Sequence, residues 1–146
     1  MACQDPSTEA EQPGEHPPPP KRALRLLIVD DDRDAVGTLS ALLKEDGHEV
    51  TTAYSGAGML TLVRSREPDA VLLDIGMPGA TGFEVARELR LRLGRACPTL
   101  IAITAWTQPT AREMGRTAGF NHYLTKPYTV AELRAVLASL PATKKG

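Results

Sequence analysis

The sequence predicts an α/β protein built on a doubly wound parallel sheet, and three observations predict it. From Leu24 onward, short apolar runs alternate with stretches of helical periodicity, and five such units can be counted. The links between them are short, so right-handed crossovers lead to a doubly wound topology. Polar residues stand at the ends of separate apolar runs: Asp30 and Asp31 after Leu26–Val29, Asp74 after Ala70–Leu73, Thr104 after Leu100–Ile103, and Lys126 after Tyr123-Leu124. If each run is a parallel strand, all five side chains meet at the carboxyl edge, where open α/β sheets place their ligands.

Each element has its own signal. Leu24–Val29 reads as a buried strand, followed by a helix over Ala35–Lys44 with Val36, Leu39, Leu42 and Leu43 on one face and Gly47 as its stop. His48–Ala53 reads as a short strand, and Gly56–Arg64 as a helix presenting Met59, Leu60, Leu62 and Val63, ended near Pro68. Ala70–Leu73 is the third strand. After a Gly76–Gly82 loop, Phe83–Leu93 is a helix with Val85, Ala86, Leu89 and Leu93 inward, closed by Gly94. Thr99–Ile103 is the fourth strand, and Thr110–Ala118 a shorter, more polar helix. Phe120–Leu124 and the amphipathic Val130–Leu140, stopped by Pro141, complete the set.

At 146 residues the chain fits one domain with tails, organised as residues 1–22, 23–141 and 142–146. Residues 1–22 contain six prolines, several acids and almost no large apolar residue, which predicts disorder, with Pro17–Pro20 favouring an extended run. The last five residues read as a flexible tail. A net charge of −1, from 17 basic and 18 acidic residues, gives no global field to recruit nucleic acid or an anionic membrane. No apolar run reaches a membrane span and no secretory leader is present, so a cytoplasmic protein is expected. Cys3 and Cys97 have neither metal-ligand spacing nor a disulfide framework, and both read as reduced. His16, His48 and His122 are scattered and read as solvated.

Three acids in one pocket repel, by roughly 4 kcal/mol for two unit charges about 4 Å apart at an effective dielectric near 20. A hard divalent ion such as Mg²⁺ suits a shallow carboxylate site and leaves room for a phosphoryl oxygen. Lys126 adds a second positive charge and Thr104 a hydroxyl donor. The pocket therefore combines a carboxylate nucleophile with three aids to phosphoryl transfer. Asp32 and Asp34 read instead as acids complementing a helix amino terminus.

From Leu24 to Leu140 the sequence resembles the receiver domain of two-component response regulators. The resemblance rests on Asp30-Asp31 in LLIVDDD, the LLDIGMPGATG segment around Asp74, the Ile101-Thr104-Ala105 strand end, and Leu124-Thr125-Lys126-Pro127-Tyr128, all in family order and spacing. It implies a flavodoxin-like five-stranded parallel sheet, order 2-1-3-4-5, flanked by five helices. By the same resemblance, Asp74 corresponds to the aspartate that accepts a phosphoryl group from a histidine kinase or histidine phosphotransfer protein. Asp31, Asp74 and the backbone carbonyl of Gly76 correspond to direct Mg²⁺ ligands, and Asp30 to a ligand through water. Thr104, Ala105 and Lys126 correspond to the phosphoryl-binding group, Thr104 and Tyr123 to the switch pair, and Lys126-Pro127 to a cis peptide.

The implied role is a stand-alone switch or relay that catalyses only its own phosphorylation and dephosphorylation. Its output would be a protein-binding face toward an unidentified target, with homodimerisation through the fourth helix left open. Thr81, Gly76 and Trp106 depart from common receiver residues. Gly76 has no side chain to position an attacking water and Trp106 is bulky, which predicts a shielded, long-lived acyl phosphate. Taken singly, Thr104 and Tyr123 also fit an ordinary strand end and a half-buried strand residue. Two rivals remain: a receiver-like binding module without phosphorylation, and a haloacid-dehalogenase-type phosphatase, whose first motif Asp30-x-Asp32 mimics. The phosphatase order is wrong, because Arg33-Asp34 follow where Gly-Thr is required and the acidic pair comes first.

Overall fold

The computed structural model describes residues 23–76, 82–105 and 109–140, with side chains omitted for 109–112. Its elements alternate strictly. β1 (Arg25–Val29), α1 (Arg33–Glu45), β2 (Glu49–Ala53), α2 (Met59–Arg66), β3 (Ala70–Asp74) and α3 (Gly82–Leu93) lead through a 3₁₀ turn at Gly94–Ala96. β4 (Thr99–Thr104), α4 (Pro109–Ala118), β5 (His122–Thr125) and α5 (Val130–Ala138) follow. All pairings are parallel and the strand order is β2-β1-β3-β4-β5, the flavodoxin-like arrangement expected.

The central strands are apolar on both faces because helices cover both. Along β1, Leu27 and Val29 join one core with residues of α2, α3 and α4 such as Val63, Leu89 and Ala118. Leu26 and Ile28 point the other way, to Val36 and Leu43 of α1 and Leu133 and Leu137 of α5. A period of two divides the same strand between two cores. β2 lies at the edge and is only half-buried.

Helix ends follow local chemistry. Asp32 caps α1 by accepting from the backbone N–H groups of Asp34 and Ala35, and Thr129 with Glu132 forms a capping box at α5. α2 starts at Met59, three residues later than the apolar periodicity suggests. Gly58 takes φ +72°, outside the right-handed helical region, so the helix starts only after it. β5 likewise starts at His122, because Phe120 and Asn121 hydrogen-bond to Gly115 and Leu100 outside the ladder.

His48 is a correction. It is buried rather than solvated, 5% exposed, and its Nδ1 accepts a hydrogen bond from the Leu24 N–H at 3.0 Å. Cys97 is buried and is in no disulfide among the described residues. The tails, with Cys3 and His16, lie outside the described residues, as do Thr81, Trp106 and Pro141.

Candidate functional site

The strand order sets the site. From β1 the chain goes to β2 on one side and later to β3 on the other, so the crevice between the carboxyl ends of β1 and β3 is the topological switch point. Register brings the acids there. Val29 is level with Leu73, so Asp30 and Asp31 follow β1 where Asp74 ends β3. One carboxylate oxygen from each of Asp30, Asp31 and Asp74 lies within 4.8 Å of the others.

Backbone donors fix two of the three acids. Asp30 accepts from the Asp32 N–H at 3.0 Å and Asp74 from the Gly76 N–H at 3.0 Å, in each case through Oδ1. Their Oδ2 atoms face the Lys126 Nζ, at 3.2 Å from Asp30 and 3.7 Å from Asp74. One ammonium therefore serves two carboxylates. Lys126 reaches them from the end of β5, where its N–H donates to the Thr104 carbonyl at 2.8 Å. The Lys126-Pro127 peptide is cis.

The electrostatics are those of a crowded acidic pocket. Burial lifts the Asp74 carboxyl above the ordinary carboxylate value; the Gly76 N–H opposes this, the Asp30 charge adds to it and Lys126 again opposes. For Lys126, burial pulls downward, but the charges of Asp74 and Asp30 outweigh it and the ammonium is held above its usual value. The donor set is all hard oxygen with an excess of negative charge, which fits a divalent cation such as Mg²⁺ and not a soft metal.

Thr104 is 1% exposed, and Ala105 after it is exposed. By the strand period Thr104 shares a face with Leu100 and Ala102, and Tyr123 is level with Ala102 on the neighbouring strand. Hydroxyl and aromatic ring thus occupy one face of adjacent strands. The Tyr123 ring lies against α4 at Gly115, where an added Cβ would come 3.1 Å from its Cε2. At the other end of the pocket, Gly82 opens α3 directly on the strand that carries Asp74. A Cβ there would meet the Ile75 Cα at 2.7 Å and the Asp74 carbonyl oxygen at 2.9 Å.

Residues 26–138 match the sequence profile of the response regulator receiver domain. The chain belongs to that family. PilH of Pseudomonas aeruginosa is 39% identical over 103 residues, covering 70% of this chain and 85% of PilH. The response regulator MprA of Mycobacterium avium is 38% identical over 117 residues, covering 80% of this chain and 50% of MprA, so this chain spans about half the length of that relative. The solved structure of Vibrio cholerae chemotaxis protein CheY4 superimposes with a TM-score of 0.75 at 27% identity, covering 82% of this chain and 100% of that one. Receiver domains belong to two-component signalling, where they interact with histidine kinases and downstream targets and are not classical enzymes. Among the described residues, no helix of this receiver is long and apolar enough to cross a membrane.

Tyr128 has no role of its own in the sequence motif that contains it. It lines, with Asp30, Asp74, Lys126, Val36 and Leu39, a cavity of about 30 Å³ beneath the acids, room for a single water. Its signal was faint: an aromatic two residues after the site lysine. The phosphatase rival loses its motif, since Asp32 is occupied in capping α1.

Proposed function

We propose that this receiver is a phosphoacceptor in a two-component or phosphorelay system, with Asp74 taking the phosphoryl group from the phosphohistidine of a histidine kinase or histidine phosphotransfer protein. The observation that carries the reading is the position of the Lys126 ammonium, 3.7 Å from the Asp74 carboxylate and 3.2 Å from that of Asp30. In the transfer, an Asp74 oxygen forms the new bond to phosphorus. The phosphorus–nitrogen bond of the donor breaks, and the imidazole leaves with the electron pair.

The chain's own groups divide the work. The Gly76 N–H orients the Asp74 carboxylate, and Lys126 meets charge developing on the phosphoryl oxygens. Asp30, Asp31 and Asp74, with the Gly76 carbonyl, would hold Mg²⁺, and when bound the ion supplies positive charge that offsets carboxylates and phosphoryl group together. Thr104 and Ala105 bind the phosphoryl oxygens from the end of β4. Because Thr104 and Tyr123 share a face, a shift of the hydroxyl toward the phosphoryl group changes the space open to the ring and biases the α4–β5–α5 surface. On that surface Met114 and Val130 are exposed, at 54% and 42%, apolar contacts for a target protein or a second copy.

In this reading the receiver domain occupies residues 23–141 and works in the cytoplasm. The test is intact mass after incubation with Mg²⁺ and acetyl phosphate, comparing wild type with Asp74→Asn. One phosphoryl group is expected on the wild type and none on the variant. No uptake from either acetyl phosphate or a phosphohistidine protein would leave a binding module that works without phosphorylation. A phosphoprotein half-life of only seconds would overturn the long-lived acyl phosphate.

A further inference from the structure

The carboxyl edge has a second cation, and nothing in the chemistry above uses it. Arg33, the first residue of α1, lies with its guanidinium carbon 4.0 Å from the ring centroid of Tyr54. Both follow strands at the carboxyl edge of the sheet, Arg33 after β1 and Tyr54 after β2. Arg33 is three residues beyond Asp30, and the Asp30 N–H donates to the carbonyl of Ala53, the residue before Tyr54, at 3.2 Å. The stacked pair therefore stands on the β1–β2 side of the carboxyl edge, next to the strand end that carries Asp30.

Three features argue against a purely structural role. A cation in the first turn of a helix opposes the helix dipole, so Arg33 does not serve α1. It forms no ion pair among the described residues, although Asp31, Asp32 and Asp34 are its chain neighbours. Stacking on Tyr54 occupies the face of the guanidinium and leaves its in-plane N–H donors free, the edge that pairs with two phosphoryl oxygens at once. The field of the site supplies the need. Five acids (Asp30, Asp31, Asp32, Asp34 and Asp74) repel an incoming dianion, while Lys126 is engaged by two of them.

We infer that Arg33, held in place by Tyr54, is the recruiting and selectivity group for the anionic phosphoryl donor, favouring donors of greater net negative charge. The inference rests on the phosphoacceptor reading. With acetyl phosphate, the Asp74 oxygen bonds to phosphorus, the phosphorus–oxygen bond to the acetyl group breaks, and acetate leaves with the electron pair. Arg33 takes no part in those bonds; it raises the occupancy of the donor at the pocket mouth.

The test is the rate of Asp74 phosphorylation, read by intact mass on the full chain with Mg²⁺ at low and high salt. The donors are acetyl phosphate and phosphoramidate, which carries less negative charge near neutral pH. Arg33→Gln should slow acetyl phosphate roughly three- to tenfold at low salt, with the gap closing at high salt, and should slow phosphoramidate less. Tyr54→Phe keeps the stacking face and should match wild type, whereas Tyr54→Ala should move toward Arg33→Gln. Arg33→Gln within about twofold of wild type on acetyl phosphate at low salt would overturn the inference. So would an equal loss on both donors at both salts, the mark of a structural disturbance. Absence of uptake in the wild type would sink the phosphoacceptor reading itself, a result separate from wild-type uptake matched by Arg33→Gln.

Discussion

The two ends of the sheet use polar residues in opposite ways. At the amino end they tie strands together: the Arg25 N–H donates to the Asp69 carboxylate at 2.8 Å, the Leu24 N–H to His48, and Arg134 of α5 forms a two-pronged pair with Asp46 at the end of α1, both bonds 2.8 Å. At the carboxyl end three acids gather and one lysine serves two of them. One end satisfies its charges within the fold, and the other keeps an excess of negative charge. Opposed charges at one end and like charges at the other are the physical difference between holding a fold and building a site.

The largest effect that would break the comparison is steric. Gly82→Ala places a methyl group 2.7 Å from the Ile75 Cα, and because backbone cannot yield as a side-chain tip does, the cost should be about 1–3 kcal/mol. Chemical denaturation reads the loss, and a slower phosphoryl uptake should accompany it, since the same methyl meets the Asp74 carbonyl. A variant of near wild-type stability would show that the α3 start can move freely on β3.

Asp74→Asn should act in the reverse direction. Burial and the Asp30 charge disfavour the ionised carboxylate in the fold, so its removal should raise stability in chelator by about 0.5–2 kcal/mol. Mg²⁺ should then raise the melting temperature of the wild type more than that of the variant, by the linkage between binding and folding. Equal Mg²⁺ responses would mean that Asp74 is no part of the cation site.

The amino end sharpens the contrast through pH. His48 uses Nδ1 as an acceptor, and its Nε2 is buried without a hydrogen-bond partner among the described residues. Burial holds the imidazole below its ordinary value of 6.5, against an opposing pull from Asp46. The unfolded chain therefore takes up the proton first. Stability is full above that value and is lost as pH falls through it toward the lower folded-state value. Thermal melts from about pH 7 to about pH 5 should fall for the wild type and flatten in His48→Asn, which retains an acceptor. Parallel curves would assign the acid sensitivity elsewhere.

The smallest effect belongs to Arg25. Its guanidinium is 3.8 Å from both Glu49 and Glu67, all three well exposed, and Arg25→Ala should cost less than about 0.5 kcal/mol because water screens such pairs. A loss above about 1 kcal/mol would mean that the three charges act as a network.

Legibility in the sequence followed locality. The strands around Leu27, Leu72 and Ile101 were visible because burial on both faces demands unbroken apolar runs, and Asp32 and Asp34 were visible as acids complementing the α1 dipole, though the capping bonds of Asp32 were not. The late start of α2 was not, since apolar spacing says nothing of the φ that Gly58 adopts. Of the site, the acids, Thr104 and Lys126 stood out as polar residues ending apolar runs. Tyr54 and Arg33 did not, because their stacking joins the start of α1 to the bend after β2. His48 was misread for the same reason: its partner, Leu24, is 24 residues away. The tie from Arg90 to the Gly119 carbonyl and Asn121 side chain likewise joins α3 to the α4–β5 turn across about thirty residues.

The sequence by itself determined the alternation of strand and helix, the division of each central strand between two cores, and the set of polar residues at the carboxyl edge. These depend on periodicity and on where apolar runs stop, which are properties of neighbours along the chain. Tertiary structure alone decided that Lys126 sits between Asp30 and Asp74, that His48 is locked under Leu24, that Gly82 presses on the Asp74 strand, and that Arg33 stacks on Tyr54. Each of those contacts joins residues distant along the chain. Their distances are set by strand register and helix packing, quantities that no local pattern encodes.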